Sequence, residues 1–215
     1  MELSLLLIFW YGILHAFGPD HLTAIADFSI GKSRAKTLWI TLAFAIGHGL
    51  SLFVFAKLLE HMELSERLLS YGDLISSTVI LSIGIYLLFM AATERIHVGK
   101  HWHDGQEHLH IWFGKSHDHD DADFEKRTAS ALTIGALMGA GGVRGMLVTL
   151  SAIAHNEVGP MMVLAFTAGV MLVFMGFGYL VSLINDNLMT SRRNVRLAFA
   201  TAGLVSIVVG SQMLF

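Results

Sequence analysis

The sequence predicts an all-α membrane protein of six transmembrane helices, arranged as two inverted three-helix repeats whose first helices are broken. Three observations support this fold class: the composition, the number of long apolar stretches, and a faint likeness between the two halves. Of the 215 residues, 54% are hydrophobic and only 14% are charged. A soluble domain would have about a quarter of its residues charged, so this composition favours a lipid environment.

The apolar stretches are long enough to cross a bilayer, which needs roughly 20 helical residues. Six spans are expected: Leu3–Ala26, Thr37–Leu59, Leu74–Thr93, Thr128–Ala154, Val158–Ile184 and Val195–Phe215. The fifth contains no acidic, basic or histidine residue, and neither does the stretch Leu197–Phe215. The six spans divide the chain into a first membrane repeat (1–93), a connecting loop (94–127) and a second membrane repeat (128–215).

The two halves resemble each other weakly. Residues Tyr11–Ile30 can be aligned with Ile134–Ile153, and Ala43–Gly47 (AFAIG) with Ala165–Gly169 (AFTAG). A unit of three spans can repeat only in inverted orientation, as in many transporters whose sites lie on helices interrupted by Gly or Pro. We therefore expect helix breaks at Gly18-Pro19 and again at Gly139–Gly142.

Charge in the connections predicts the orientation. The segments 27–36, 94–127 and 185–196 hold 11 of the 14 Lys and Arg residues. Because basic residues accumulate on the cytoplasmic side, both termini are expected outside and the 94–127 loop in the cytoplasm. The sequence thus predicts a multi-pass protein of the cell (plasma or inner) membrane.

The motif His15-Ala-Phe-Gly-Pro-Asp20-His21 places three metal-competent side chains inside a predicted span. Ionisable groups in a membrane are costly, so they usually line a polar pathway or pair with one another. Pro19 lacks an N–H and interrupts the helix, which would allow the three side chains to converge on one ion. A polar cluster that only holds helices together is the alternative.

His48 lies in the middle of the second span between two glycines, which allow another helix backbone to approach closely. It could reach the first cluster as a metal ligand or donate a single interhelical hydrogen bond. The sequence contains no cysteine, which excludes thiolate ligands and disulfides.

These motifs resemble the nickel/cobalt transporter family. HAFGPDHLTAIADF is similar to the His-x(4)-Asp-His signature of that family, and Gly47-His48 resembles its Gly-His-Ser element, with Gly49 in place of the serine. In length and in its glycine-rich second half the chain is closer to the short branch, similar to urease-accessory permeases and nickel/cobalt efflux proteins. The resemblance implies transport of Ni²⁺ or Co²⁺ and assigns metal recognition to His15, Asp20, His21 and His48.

The 94–127 loop is rich in histidine, with seven of the 12 histidines between positions 97 and 119. His-x-His and His-Asp spacings suit exchangeable binding of divalent transition metals but specify no fixed cage. An accessory metal-handling role is expected for six of them: His101, His103, His108, His110, His117 and His119. A solvated loop without function is the alternative.

The expected function is therefore transport of Ni²⁺, Co²⁺ or another divalent transition metal, with uptake favoured over efflux. The metal ion and the lipid bilayer are the expected partners, and a net charge of −3 gives no case for nucleic acid. Neither an enzymatic activity nor a tightly bound cofactor is expected. The main alternative is a membrane di-iron oxidase or desaturase, which would need about eight histidines in short-spaced clusters. Asp27, at the end of the first span, marks either an exit for the ion or a helix cap.

Overall fold

The protein is described by a computed structural model that covers residues 2–59, 66–93, 95–103, 106–113, 121–154 and 159–214. Seven helices and two strands occur in these residues, in the following order: α1 (Glu2–Ala16), α2 (Pro19–Ser29), α3 (Arg34–Leu59), α4 (Glu66–Ala92), β1 (Ile96–His103), β2 (Gln106–Phe113), α5 (Asp121–Ala154), α6 (Pro160–Leu188) and α7 (Arg192–Gln212).

Four of these helices, α3, α4, α6 and α7, are long and apolar enough to cross a membrane. The pair α1–α2 forms a fifth candidate span, which bends by 59° at its break. Large apolar side chains are exposed along the outer faces of these helices, as lipid-facing surfaces require: among them are Leu6, Trp10, Trp39, Ile85, Leu172 and Leu204. The predicted class of helical multi-pass membrane protein is confirmed.

Residue chemistry explains where several helices begin. Pro19 and Pro160 occupy the first turns of α2 and α6, where a missing N–H leaves no hydrogen bond unmade. Ser191 precedes α7, and its hydroxyl accepts a hydrogen bond from the Asn194 N–H at 3.2 Å. The connection between α2 and α3 turns at Gly31, whose φ of 71° suits glycine.

Helix packing brings the two halves of the chain together. α3 packs against α5 and α6, α1 packs against α6, and α4 packs against α7 and α5. Glycines allow backbones to meet in these interfaces, because a Cβ atom at each would overlap a carbonyl oxygen of the facing helix. Four such approaches share this arrangement: Gly12 on Phe166, Gly135 on Phe44, Gly47 on Leu132 and Gly169 on Phe9.

The predicted break at Gly139–Gly142 is wrong, because α5 continues from Asp121 to Ala154. This stretch has no proline, so no backbone hydrogen bond is lost, and a helical glycine costs only about 1 kcal/mol relative to alanine. The glycines serve packing instead. A Cβ atom at Gly139 would lie 2.5 Å from the carbonyl oxygen of His48, and Gly141 packs against Gly72.

The all-α prediction needs one addition, since part of the 94–127 connection is a β-hairpin. Strands β1 and β2 pair antiparallel, from Ile96 opposite Phe113 to His103 opposite Gln106. Ile96 is buried in the same apolar cluster as Leu87 of α4 and Phe199 of α7, and β1 contacts α7. The connection therefore contains two paired strands, which the all-α prediction did not include.

Candidate metal centre

The break between α1 and α2 positions three of the four candidate ligands. α1 ends with His15 in its last turn, and the Gly18 N–H donates to the His15 carbonyl at 2.9 Å. Gly18 then adopts φ −50° and ψ 127°, outside the helical region, and α2 restarts at Pro19. Asp20 and His21 lie in the first turn of the new helix. The predicted helix break at Gly18-Pro19 is confirmed, and across it the His15 and His21 rings approach each other.

His48 joins them from the middle of α3. The ring centroids of His15 and His21 are 4.9 Å apart, those of His21 and His48 are 4.8 Å apart, and those of His15 and His48 are 5.8 Å apart. One nitrogen from each ring lies within 4.8 Å of the other two. Nitrogens about 2.1 Å from one ion are at most about 4.2 Å apart, so small rotations of the rings would let all three bind it.

The ring nitrogens of this cluster have unused bonding capacity. Five of them are buried and form no well-aligned hydrogen bond among the described residues, namely Nε2 of His15 and both nitrogens of His21 and of His48. Of these, Nδ1 of His21 faces Asp20, and the His48 ring also meets the backbone of Gly135. Buried polar atoms are nearly always paired, and each one left unpaired costs about 1–3 kcal/mol. An unprotonated imidazole offers one nitrogen lone pair, and three of them are a typical donor set for a transition metal.

Asp20 lies beside the cluster rather than between the three rings. Its Oδ1 is 2.9 Å from Nδ1 of His21, although this contact between sequence neighbours lacks hydrogen-bond geometry. The group of ligand atoms within 4.8 Å of one another contains His15, His21 and His48 and does not include Asp20. A carboxylate in this place can orient the His21 ring and offset part of the charge of a bound cation.

Three buried phenylalanines enclose the histidines. Phe166 lies 5.2 Å from the His15 ring, Phe174 lies 5.6 Å from the His21 ring, and Phe44 stacks on His48 at 6.2 Å. The walls of the site are therefore apolar, which lowers the local dielectric constant and keeps bulk water away.

Gly142 completes the wall of the site. A Cβ atom at this position would lie 3.0 Å from Nε2 of His15 and 3.7 Å from Cε1 of His48. The second half of the chain thus contributes the backbone of α5, without a side chain at position 142, to the wall of the site. The glycines of 139–142 were predicted to break the helix, whereas they pack against its neighbours, and nothing in the sequence marked the three phenylalanines as walls of the site.

The histidines of the hairpin form a separate set. The pairing register places His101 directly opposite His108, with His103 and His110 at neighbouring positions of the same face of the two-stranded sheet. For these four residues the structure describes the backbone, and His117 and His119 lie outside the described residues. Their accessory role stays a prediction.

Comparisons of the chain with protein-family models, with curated proteins and with solved structures found no match. The resemblance to nickel/cobalt transporters therefore depends on the motifs quoted above.

Proposed function

We propose that this protein carries a divalent transition-metal cation, Ni²⁺ or Co²⁺, across a lipid bilayer. His15, His21 and His48 bind the ion, and Asp20 assists beside them. The observation that supports this proposal most directly is the convergence of three imidazoles, most of whose buried ring nitrogens form no well-aligned hydrogen bond among the described residues. A purely structural cluster would use these nitrogens in hydrogen bonds between helices, whereas a metal ion would satisfy several of them at once.

The position of the cluster favours transport over a static or catalytic metal site. It is built at the break of a bent span, and discontinuous helices commonly form the substrate site in secondary transporters. A di-iron enzyme would need more ligands than the three histidines that converge among the described residues. The ligands also include no sulfur, which suits Ni²⁺ and Co²⁺.

We further propose six spans in two inverted repeats, with α5 as the additional crossing. The glycine contacts support this arrangement because they come in equivalent pairs. Gly12 and Gly135 are matched in the alignment of the two halves, as are Phe44 and Phe166, and each glycine touches the phenylalanine of the opposite half. Reciprocal contacts of this kind are expected when two similar units face each other across a twofold axis.

The distribution of basic residues supports termini outside the cell and a cytoplasmic hairpin. A dication that moves into the cell down a membrane potential of 100 mV releases about 4.6 kcal/mol of electrical free energy, so uptake needs no further energy source. We therefore favour uptake over export.

Reconstitution into proteoliposomes tests the proposal. Radiolabelled Ni²⁺ and Co²⁺ should enter the vesicles faster than Mn²⁺, and Zn²⁺ should be measured beside them. Asp20→Asn and His21→Ala should each abolish flux while the protein stays folded, and His48→Ala should weaken flux or change the metal preference. His97→Ala is the matched control, since it removes a histidine outside the cluster and should leave flux unchanged. Full flux in His21→Ala would mean that the cluster is a structural clamp.

A further inference from the structure

A second buried polar site lies on α2, beyond the histidine cluster. Asp27 is only 8% exposed, and its Oδ1 has no hydrogen-bond partner among the described residues. It lines a cavity of about 120 Å³, large enough for water, whose other walls are mostly apolar and include Phe28, Ile83, Leu87 and Phe199. Asp27 does not cap its helix, so the interpretation as a helix cap is excluded.

The contacts of Asp27 indicate where a proton is held. Oγ of Ser206 lies 2.7 Å from Oδ2 of Asp27 and 2.8 Å from the carbonyl oxygen of Ala202. A hydroxyl has one proton and can donate it to only one of these two acceptors at a time. If Asp27 is a carboxylic acid, its O–H donates to Ser206, Ser206 donates to Ala202, and both contacts are satisfied. If Asp27 is a carboxylate, the single Ser206 proton must serve both oxygen–oxygen contacts, and one of the two is then not a hydrogen bond.

No described cation is placed to pair with a carboxylate in this position. Tyr86 also lines the cavity, but a phenol carries no positive charge in any form. On α7 the nearest charge is Arg196, ten residues before Ser206, and its Nε donates to the Ala91 carbonyl at 3.0 Å. An isolated carboxylate in apolar surroundings is costly, whereas the acid is not.

The remaining basic residues near α2 do not line the cavity. Arg34 at the start of α3 pairs with Asp186 at the end of α6 at 2.9 Å. Lys32 and Lys36 each have an interaction, and neither is a wall residue of the cavity. Between residues 128 and 142, α5 contains no charged residue. On α2 itself, His21 precedes Asp27 by six residues, which is about 9 Å along the helix.

We propose that Asp27 is a proton-binding site, protonated when the histidine cluster holds no metal and deprotonated when it does. A dication about 10 Å away favours the carboxylate over the acid on the order of a hundredfold at an effective dielectric constant of about 20. The O–H bond of the acid breaks, the proton passes to water in the cavity, and the carboxylate offsets part of the metal's charge. Metal and proton would then move in opposite directions, a coupling that rests on the proposed transport function.

Infrared spectroscopy tests the protonation independently of transport. Metal-free wild type should show the carbonyl band of a protonated carboxylic acid at neutral pH, and Asp27→Asn should lose it. Asp186→Asn, which removes an exposed carboxylate at the same end of the molecule, should keep the band. Ser206→Ala should shift its frequency, because the acid donates to that hydroxyl. Addition of Co²⁺ should remove the band from wild type, which decides the question even if Asp27→Asn fails to fold. Identical acid bands in wild type and folded Asp27→Asn, or no effect of Co²⁺, would overturn the proposal.

Proteoliposomes with a trapped pH dye test the coupling. In wild type, protons should cross the membrane in the direction opposite to Co²⁺. In Asp27→Asn the whole proton signal should be lost while Co²⁺ still crosses. Proton movement that persists in Asp27→Asn, or is missing from a wild type that carries Co²⁺, would refute the coupling. A wild type that carries no metal would instead refute the proposed function, and the infrared result would still decide where the proton is held.

Discussion

Replacing Gly142 with alanine should separate metal binding from folding, because the added methyl group meets a ring nitrogen of the proposed metal site. Its carbon would lie 3.0 Å from Nε2 and 3.1 Å from Cε1 of His15. Ordinary contacts between such atoms are about 3.5–4.0 Å, so the ring must move by roughly 0.5 Å. Metal–ligand distances tolerate only about 0.2 Å, so the displacement is larger than a coordinated ring can accept.

We therefore expect Gly142→Ala to weaken Co²⁺ binding by about 10- to 100-fold, or about 1.4–2.8 kcal/mol, similar to the loss of a residue that orients a metal ligand. Folding should not suffer, because alanine in a helix is favoured over glycine by about 0.5–1 kcal/mol, which offsets part of the strain. Titration of the detergent-solubilised protein with Co²⁺, followed by its visible absorption, measures the affinity, and thermal unfolding measures the stability.

Gly176→Ala is the matched control, since a Cβ atom at Gly176 would meet nothing within 4 Å among the described residues. It should leave Co²⁺ affinity unchanged. Wild-type affinity in folded Gly142→Ala would refute the reasoning, because it would mean that Nε2 of His15 does not bind the ion.

Three further predictions address protons, the α2–α3 connection and the hairpin. Co²⁺ affinity should fall as pH is lowered, because imidazole binds metal only when unprotonated, and a pH-independent dissociation constant would argue against histidine ligation. Asn185→Ala should lower the free energy of unfolding by about 2–4 kcal/mol, since its side chain accepts from the Gly31 N–H at 3.1 Å and donates to the Ser29 carbonyl at 2.6 Å. Thermal unfolding checks this against the exposed Asn187→Ala, and equal stabilities would contradict it. Deleting residues 100–121 should preserve the order of metal preference in vesicle flux and change the rate only modestly, whereas loss of all flux would place the hairpin in the pathway.

The sequence predicted the histidine cluster because local chemistry specified it. Pro19 can only interrupt the helix, and the ionisable residues around it needed partners inside a span. The alignment of the two halves also led to the prediction of a second helix break at Gly139–Gly142, which is wrong. Glycine permits a break without causing one, so Gly139–Gly142 could be interpreted correctly only once the facing backbones were known.

The hairpin could have been predicted, because its signal is local. Apolar and polar residues alternate in His101-Trp102-His103 and in His108-Leu109-His110-Ile111, and Asp104-Gly105 between them is a dipeptide typical of two-residue hairpin turns. The histidines at every second position were interpreted as metal ligands, although the same spacing is that of side chains on one face of a β-strand. The contact between Asp27 and Ser206 could not be predicted from local sequence, since the two positions are 179 residues apart.

The phenylalanine walls around the three imidazoles would prevent the proposed site from binding Mg²⁺ and Ca²⁺. Mg²⁺ and Ca²⁺ require six or more oxygen ligands, and Mg²⁺ gives up its water reluctantly. Between Phe44, Phe166 and Phe174 such an ion would find nitrogen donors and the carboxylate of Asp20, too few oxygens to replace its hydration shell. A cell holds these hard cations in large excess over nickel and cobalt. Discrimination against them would therefore come from the oxygen atoms that the site lacks, and would survive changes that alter the preference between nickel and cobalt.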